Sequence, residues 1–375
     1  MASPAESSPG GEGSLPVDAP TSYGAAVQWR LLGPLIPSPV WFSALLRART
    51  LDSEDEGVIW SPLATAEGAS LHASEGPTLL LVHGTGLRTR PGFLGLTQAD
   101  FARLRERYGG RILAWEHRAF AHHLDRNARE LGRALERLGV PMDLDVLTLS
   151  RGGLVVRMLT EGWVPLREDI QLHKLVMMGT PNDGTPSARR DPMGRGNVPM
   201  KAWRTDVRRL ALVDQRDRAV AFHDDPFSLP GYDPGEVRLG KWPLLSGSQD
   251  QVPGSRMLSR LNGFAGPAPH PRRVLEYYAL ASIFTFDHGA PERQLLPDMG
   301  RREVCEHAIP GVPNDLVVPT ASVYRPRQGP DASGYFPLCR ERVAVLQPES
   351  NTTHVGLFRV NAVRHRALQW LIGPS

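Results

Sequence analysis

The sequence predicts an α/β fold in which a mostly parallel sheet carries helices on both faces. Short apolar segments alternate with amphipathic helical segments between residues 78 and 178. The first, Thr78–Gly84, is a continuous apolar run, as expected of a parallel strand buried on both sides. The short connections between these segments favour right-handed crossovers within one sheet.

The predicted elements follow from local patterns taken in chain order. Residues 1–23 are rich in Ser, Pro, Gly, Ala and Glu and predict a disordered tail, which precedes one domain over residues 24–375. We expect a strand around Val27–Leu32, a helix around Val40–Arg49 and a strand or hairpin within Leu51–Ser74. Further strands are predicted at Thr78–Gly84, Arg111–Trp115, Asp145–Leu149, Leu172–Met178, Val274–Phe284 and Val343–Leu346. Further helices are predicted at Gln98–Tyr108, at Asp125–Leu138, from Ser150 to about Glu161, and at Arg359–Ile372.

The alternation of strands and helices lapses between residues 187 and 271, where Arg, Asp, Pro and Gly are frequent. A structureless loop of this length is uncommon in a compact domain. We therefore expect residues 187–271 to form an inserted cap, or lid, over the C-terminal edge of the sheet.

Composition bears on several classes of partner. The net charge is only +3, and the arginines are scattered among carboxylates, so no nucleic-acid binding is expected. The sequence shows no secretory signal and no apolar run that could span a bilayer, so we expect a cytoplasmic protein, with peripheral membrane contact left open. Cys305 and Cys339 could form one disulfide or remain two thiols. No carboxylates have a metal-site spacing around His117, His122 and His123, and we expect neither a metal nor a cofactor.

A strand, a sharp turn and a helix are predicted around Ser150. The β-forming residues Val146–Leu149 end on this serine, and Gly152 and Gly153 follow it. Glycine is expected there because a Cβ would clash where the helix begins against the strand. A serine at the apex of such a turn exposes its hydroxyl above the sheet. We interpret Ser150 as a nucleophile, with an ordinary turn serine as the alternative.

A serine nucleophile needs a base, and the base needs an orienting partner. In α/β-hydrolase folds, which place a serine on such a turn, an acid and then a histidine follow the serine along the chain. His354 lies in a polar loop after the last predicted strand and is the expected base. Asp315 lies in a loop before that strand and is the expected acid. Asp287 is the runner-up acid, and Asp298 is a further candidate.

Acyl transfer at a serine also needs two backbone N–H groups that stabilise an oxyanion. One is expected from Arg151, the residue after the nucleophile. The other is expected from Thr85, because Gly84 and Gly86 flank it and allow the chain to turn its amides toward a substrate oxygen. We expect the neighbouring His83 to be a structural hydrogen-bonding residue and not a base.

Six parts of the sequence match one known family in that family's order. They are Val82–Gly86, Leu149–Arg157, Gly179–Pro186, positions within Pro253–Asn262, Asn314–Pro319 and His354. On these residues the chain resembles the bacterial lipase/esterase branch of the α/β-hydrolase superfamily, and more narrowly the cytoplasmic lipase-like hydrolases with a Ser-Arg-Gly-Gly turn. The resemblance implies an α/β-hydrolase fold and cleavage of a carboxylic ester or related acyl bond through an acyl-enzyme. The expected substrate is a small-molecule or lipid ester.

The sequence departs from this family at three positions. Thr148 replaces the first glycine of the G-x-S-x-G turn, Leu149 replaces the usual histidine, and Leu316 stands where many lipases have glycine. Threonine is small although β-branched, so we expect a tighter turn that still forms. Two other functions stay open: acyl transfer to an alcohol or amine, which depends on acceptor access under the cap, and a non-catalytic hydrolase-like binding module.

Overall fold

The computed structural model of the protein describes residues 43–50, 58–63, 76–85, 87, 89–119, 122–188, 246–272, 274–284, 309, 311–332, 334–347 and 352–373. The predicted tail, the predicted strand at Val27–Leu32 and residues 189–245 of the predicted cap lie outside these ranges. Asp287, Asp298 and Cys305 also lie outside them. The predicted domain boundaries therefore stay predictions.

An eight-stranded sheet forms the centre of the described residues. Its strands are β1 (Ala44–Thr50), β2 (Val58–Pro62), β3 (Thr78–Val82), β4 (Ile112–Glu116), β5 (Met142–Leu149), β6 (Ile170–Met178), β7 (Val274–Ser282) and β8 (Val343–Leu346). They lie in the order β2-β1-β4-β3-β5-β6-β7-β8. Strand β1 pairs antiparallel with β2 and β4, and all other neighbours pair in parallel. The sheet is therefore mostly parallel, as predicted.

Helices connect the strands and cover the sheet. They are α1 (Thr89–Gly92), α2 (Gln98–Tyr108), α3 (Leu124–Glu136), α4 (Arg151–Thr160), α5 (Ser246–Gln249), α6 (Arg256–Leu261), α7 (Thr320–Tyr324) and α8 (Asn361–Ile372). A 3-10 turn at His354–Arg359 precedes α8. Within the described part of the chain, no helix combines the length and the apolar character that crossing a membrane would require.

The core consists of two apolar clusters, one on each face of the sheet. Successive side chains of a strand point to opposite faces. From β3, Leu80 and Val82 enter the cluster that contains α3 and α4, whereas Leu79 and Leu81 enter the cluster that contains α2 and α8. Neither face of this strand meets water, which explains its continuously apolar sequence. The predicted α/β architecture, a mostly parallel sheet with helices on both faces, is confirmed.

The first strand differs from its sequence-based prediction. The sequence predicts a helix around Val40–Arg49, but residues 44–50 form β1, so that prediction is wrong. Strand β1 hydrogen-bonds to a neighbour on each edge, and it buries Leu45 in one cluster and Leu46 in the other. Pairing and burial of this kind outweigh the weak local preference of a short segment. The strand or hairpin predicted within Leu51–Ser74 is present as β2, which pairs with β1.

Candidate active site

Ser150 lies at the turn between β5 and α4 in a strained backbone conformation. Its φ of 53° and ψ of −129° fall where residues with a Cβ are rare. Its N–H donates to the carbonyl of Met178 at 2.7 Å, and its carbonyl accepts from Thr180 Oγ1 at 2.9 Å. Strain of this kind persists only where the surroundings over-determine it, and it is concentrated at functional sites.

The chain around Ser150 is packed too closely for side chains at two glycines. A Cβ on Gly152 would lie 2.2 Å from the carbonyl oxygen of Val82, and a Cβ on Gly84 would lie 2.6 Å from the Cβ of Ser150. Val82 is the last residue of β3, so α4 begins directly against the end of that strand. The role that the sequence predicts for glycine after the serine is confirmed at Gly152.

Thr148 is accommodated because it still belongs to strand β5. It is fully buried, it pairs with Val82 on one side and Met177 on the other, and its hydroxyl donates to Val176 O at 3.3 Å. A β-branched residue suits an extended backbone. The unusual backbone angles fall on Ser150, and a glycine is therefore not required two residues earlier.

Asp315 and His354 form a buried pair on the loops that follow β7 and β8. Asp315 Oδ2 lies 2.6 Å from His354 Nδ1, and the His354 backbone N–H donates to the Asp315 carbonyl at 3.0 Å. The two side chains are only 1% and 4% exposed. The acid that the sequence favours is therefore in contact with the predicted base.

The loop around Asp315 leaves one carboxylate oxygen for the histidine. Oδ1 accepts from the N–H groups of Val317 and Val318, at 3.0 and 2.7 Å. The loop folds round the carboxylate because Leu316 has a φ of 79°. Leucine adopts here the left-handed conformation that glycine adopts without penalty.

The second ring nitrogen of His354, Nε2, is buried and has no hydrogen-bond partner among the described residues, Ser150 included. Catalytic hydrogen bonds are often long outside the substrate complex. The His354 ring lies against Gly179, on which a Cβ would be 3.0 Å from Cε1. Gly179 directly follows Met178, whose carbonyl binds the Ser150 N–H. Ser150 and His354 thus contact adjacent residues at the C-terminal end of β6.

The two predicted oxyanion residues both contact the segment that follows residues 189–245. Thr85 Oγ1 accepts from Gln251 Nε2 at 2.9 Å, and Arg151 Nε donates to Gly247 O at 3.3 Å. Arg151 is the first residue of α4, so its backbone N–H has no acceptor within the helix. Thr85 follows Gly84, which packs on Ser150.

The Arg151 side chain is buried behind the turn. Its Nη2 donates to His122 O at 2.6 Å, and its Nη1 has no hydrogen-bond partner in the described part of the chain. Burial lowers the pKa of Arg151 to about 10, against the opposing effect of the Asp250 carboxylate. The guanidinium is still charged at neutral pH, and it places a positive charge beneath the predicted nucleophile turn.

His83 makes buried hydrogen bonds of the kind that the sequence leads us to expect of it. Its Nδ1 lies 2.9 Å from Gly84 O, and its Nε2 lies 3.2 Å from the His117 N–H and 3.3 Å from Glu116. Its ring stacks on that of His117 at 4.1 Å. Burial, with the nearby His83 and Arg151, keeps the pKa of His117 well below its usual value, so this histidine is neutral.

The three histidines that lie close in sequence have separate surroundings. His117 stacks on His83, His122 Nδ1 lies 3.3 Å from Glu130, and His123 Nδ1 lies 2.9 Å from Asp250. Within the described ranges, no group of three or more His, Cys, Asp or Glu residues is arranged to hold a metal ion.

Neither Gln251 nor Asp250 belongs to a recognisable motif of the sequence. Gln251 contacts Thr85 across 166 residues of sequence, and Asp250 accepts from the Leu124 N–H across 126 residues. Both lie within the predicted cap, where no local periodicity indicates a partner. No sequence signal would have identified them without the fold.

Comparison with known proteins gives matches at low identity. Residues 48–206 match the model of a domain of unknown function (DUF7379), and no protein of curated function is detectably similar in sequence. EstA from Clostridium botulinum has 14% identity and a TM-score of 0.47, with 80% of this chain and 88% of that chain covered. The mature lipase BlEst2 from Bacillus licheniformis has 13% identity and a TM-score of 0.41, with 89% and 98% covered.

A third similar structure is reported among epoxide hydrolases of the alpha/beta-hydrolase superfamily from metagenomes of hot environments. It has 14% identity and a TM-score of 0.40, with 80% of this chain and 92% of that chain covered. One fold supports many different activities. At these identities and TM-scores the similarities indicate no activity for this chain.

Proposed function

We propose that this chain is a serine hydrolase that cleaves carboxylic esters through an acyl-serine intermediate. One observation carries the proposal: the buried Asp315–His354 pair leaves Nε2 unpartnered among the described residues, beside the strained turn of Ser150. A neutral imidazole that donates from Nδ1 to a carboxylate has a lone pair on Nε2. That lone pair is what a serine hydroxyl needs as a base.

The reaction follows from these groups. Ser150 Oγ attacks the ester carbonyl carbon while His354 Nε2 takes its proton, and Asp315 fixes the tautomer and stabilises the imidazolium. The backbone N–H groups of Thr85 and Arg151 donate to the oxyanion of the tetrahedral intermediate. The carbon–oxygen bond to the alcohol then breaks, and His354 gives its proton to that alcohol. His354 Nε2 then deprotonates a water molecule, whose oxygen attacks the acyl carbon. The acyl–Ser150 bond breaks, His354 gives the proton back to Ser150 Oγ, and the carboxylic acid is released.

The nucleophile is tested by labelling with a fluorophosphonate probe. We expect labelling of the wild-type chain, loss of labelling in Ser150→Ala, and unchanged labelling in Ser259→Ala, which removes a serine outside the site. Labelling that persists in Ser150→Ala, or a wild-type chain that does not react, would overturn the proposal.

The activity is tested with p-nitrophenyl esters of increasing acyl length. We expect hydrolysis by the wild-type chain and a fall in kcat of about 10⁴-fold in Asp315→Asn, because the tautomer of His354 is then no longer fixed. The acyl length that gives the highest kcat/KM separates an esterase from a lipase. An Asp315→Asn variant with wild-type kcat would exclude Asp315 as the orienting acid.

A further inference from the structure

The segment Ser246–Gln251 is fixed to the domain by contacts at its backbone and side chains. Asp250 Oδ2 accepts from the backbone N–H of Leu124, the first residue of α3, at 2.7 Å. The Gln251 carbonyl accepts from the Thr185 N–H at 2.8 Å, and its own N–H donates to Ser248 O at 3.1 Å. The contacts of Asp250 with Leu124 and of the Gln251 carbonyl with Thr185 tie this segment to the domain, so Gln251 presents its side chain from a fixed position.

The Gln251 side chain reaches the predicted oxyanion loop. Gln251 is only 4% exposed, and its Nε2 donates to Thr85 Oγ1 at 2.9 Å. Threonine has few allowed χ1 rotamers because its Cβ is branched. A hydrogen bond that fixes Oγ1 therefore also limits the orientation of the Thr85 backbone, including the N–H that would face the oxyanion.

We propose that Gln251 is a positioning residue that holds the Thr85 N–H in the direction required by the oxyanion. This inference rests on the proposed function. Stabilisation of an oxyanion depends on donors that are already oriented before the reaction. A misplacement of about 1 Å at a reacting centre can lower the rate by about a hundredfold. The nearby Gln249 does not bind Thr85: its Nε2 donates to Ala188 O at 3.3 Å. Substitution of Gln249 therefore serves as a matched control.

The inference is tested with Gln251→Met, which keeps the side-chain length and removes the donor, and with Thr85→Val, which removes the acceptor. We expect kcat to fall about tenfold in each variant with little change in KM, because the lost interaction acts mainly in the transition state. Affinity for a trifluoromethyl ketone, which forms a tetrahedral adduct on the serine, should fall by the same factor. Thr85→Ser keeps a hydroxyl, so its kcat should fall less than that of Thr85→Val.

A double variant separates positioning from general disruption of the fold. If Gln251 acts through Thr85, both substitutions remove the same interaction. The Gln251→Met/Thr85→Val chain should then have the same kcat as the less active of the two single variants. Three results would overturn the inference and leave ester cleavage standing. They are losses of kcat that multiply in the double variant, a change in KM alone, or a loss of kcat in Gln251→Met no greater than that in Gln249→Met. A wild-type chain that the fluorophosphonate does not label would overturn the proposed function itself, and this inference with it.

Discussion

Two single residues in the candidate site have backbone conformations that are unfavourable for their type. Among the described residues, Ser150 and Leu316 are the non-glycine residues with positive φ. A backbone conformation with positive φ costs a residue with a Cβ about 1–3 kcal/mol. Ser150 lies in the nucleophile turn and Leu316 follows Asp315, so both costs fall beside groups with proposed chemical roles. Hydrogen bonds to residues 178 and 180 hold the first, and the loop round the Asp315 carboxylate holds the second.

Leu316 offers a test of backbone strain that does not depend on activity. Its side chain is 3% exposed, so truncation to alanine should cost about 2–5 kcal/mol of unfolding free energy. Glycine removes the same contacts and also relieves the positive φ, so Leu316→Gly should be about 1 kcal/mol more stable than Leu316→Ala in urea unfolding. At Val318, which is buried nearby without positive φ, the usual order should hold, with glycine the less stable. If the glycine variant is the less stable one at both positions, Leu316 is not strained.

We expect His117 to make the stability of the protein depend on pH. Its pKa is lowered in the folded chain from an ordinary value of 6.5, so the unfolded chain binds more protons below that pH. The contribution of His117 to the free energy of unfolding is therefore present above about pH 6.5. It is lost as the pH falls below that value, by about 1.4 kcal/mol per pH unit until the lowered pKa is reached. Between about pH 7.5 and about pH 5, this group should remove up to about 2 kcal/mol.

The pH effect is measured by urea unfolding of His117→Phe at both pH values. Phenylalanine keeps a ring against His83 and does not titrate. The variant should lose less stability on acidification than the wild-type chain, whereas His365→Gln, at an exposed helical position, should lose as much as the wild type. Equal losses in His117→Phe and wild type would show that His117 is not the group responsible.

At the scale of elements, the helices α3 and α4 respond differently to the same substitution. A Cβ on Gly132 in α3 would meet Leu159 at 3.4 Å, which is an ordinary contact, whereas a Cβ on Gly152 in α4 would lie 2.2 Å from Val82 O. Gly132→Ala should therefore stabilise the protein by about 0.5–1 kcal/mol, because alanine favours the helix. Gly152→Ala should destabilise it and separate α4 from β3. Thermal unfolding should show a rise in stability for Gly132→Ala and a fall for Gly152→Ala. A Gly152→Ala chain as stable as the wild type would contradict the close packing at the turn.

The elements also differ in how far their sequences determine them. The bounds predicted for Gln98–Tyr108 are those of α2, because Thr97 and Asp100 form a capping box and Gly109 ends the helix at a φ of 56°. No such local signal exists for β1, whose structure depends on its neighbours in the sheet. The loop positions of Asp315 and His354 follow from chain order, whereas Gln251 is recognisable only once the fold brings it to Thr85.

At the scale of the whole molecule, one buried arginine, paired with a carboxylate at the end of its own helix, joins segments that are far apart in sequence. Arg157 in α4 lies 2.5 Å from the Glu161 carboxylate, and it donates to Asn182 Oδ1 and to Leu261 O, both at 2.9 Å. Its guanidinium also lies over the ring of Phe336 at 4.8 Å. Arginine suits this position because its planar group can donate in several directions and stack at once. The loop after β6 and the end of α6 are thereby both tied to α4.

The stability of this arrangement depends on keeping both charges. Arg157 and Glu161 are 1% and 3% exposed, so Glu161→Leu leaves a buried guanidinium without its counter-charge. We expect a loss of about 3–5 kcal/mol in urea unfolding, a large share of the stability of an ordinary domain. The double variant Arg157→Met/Glu161→Leu should recover part of that loss, because no uncompensated charge remains. Arg327→Gln breaks an ion pair with Asp183 in which the arginine is 65% exposed, and it should cost less than about 1 kcal/mol. If Glu161→Leu costs no more than Arg327→Gln, the buried pair does not hold these segments together, and apolar packing of the two clusters alone accounts for their position.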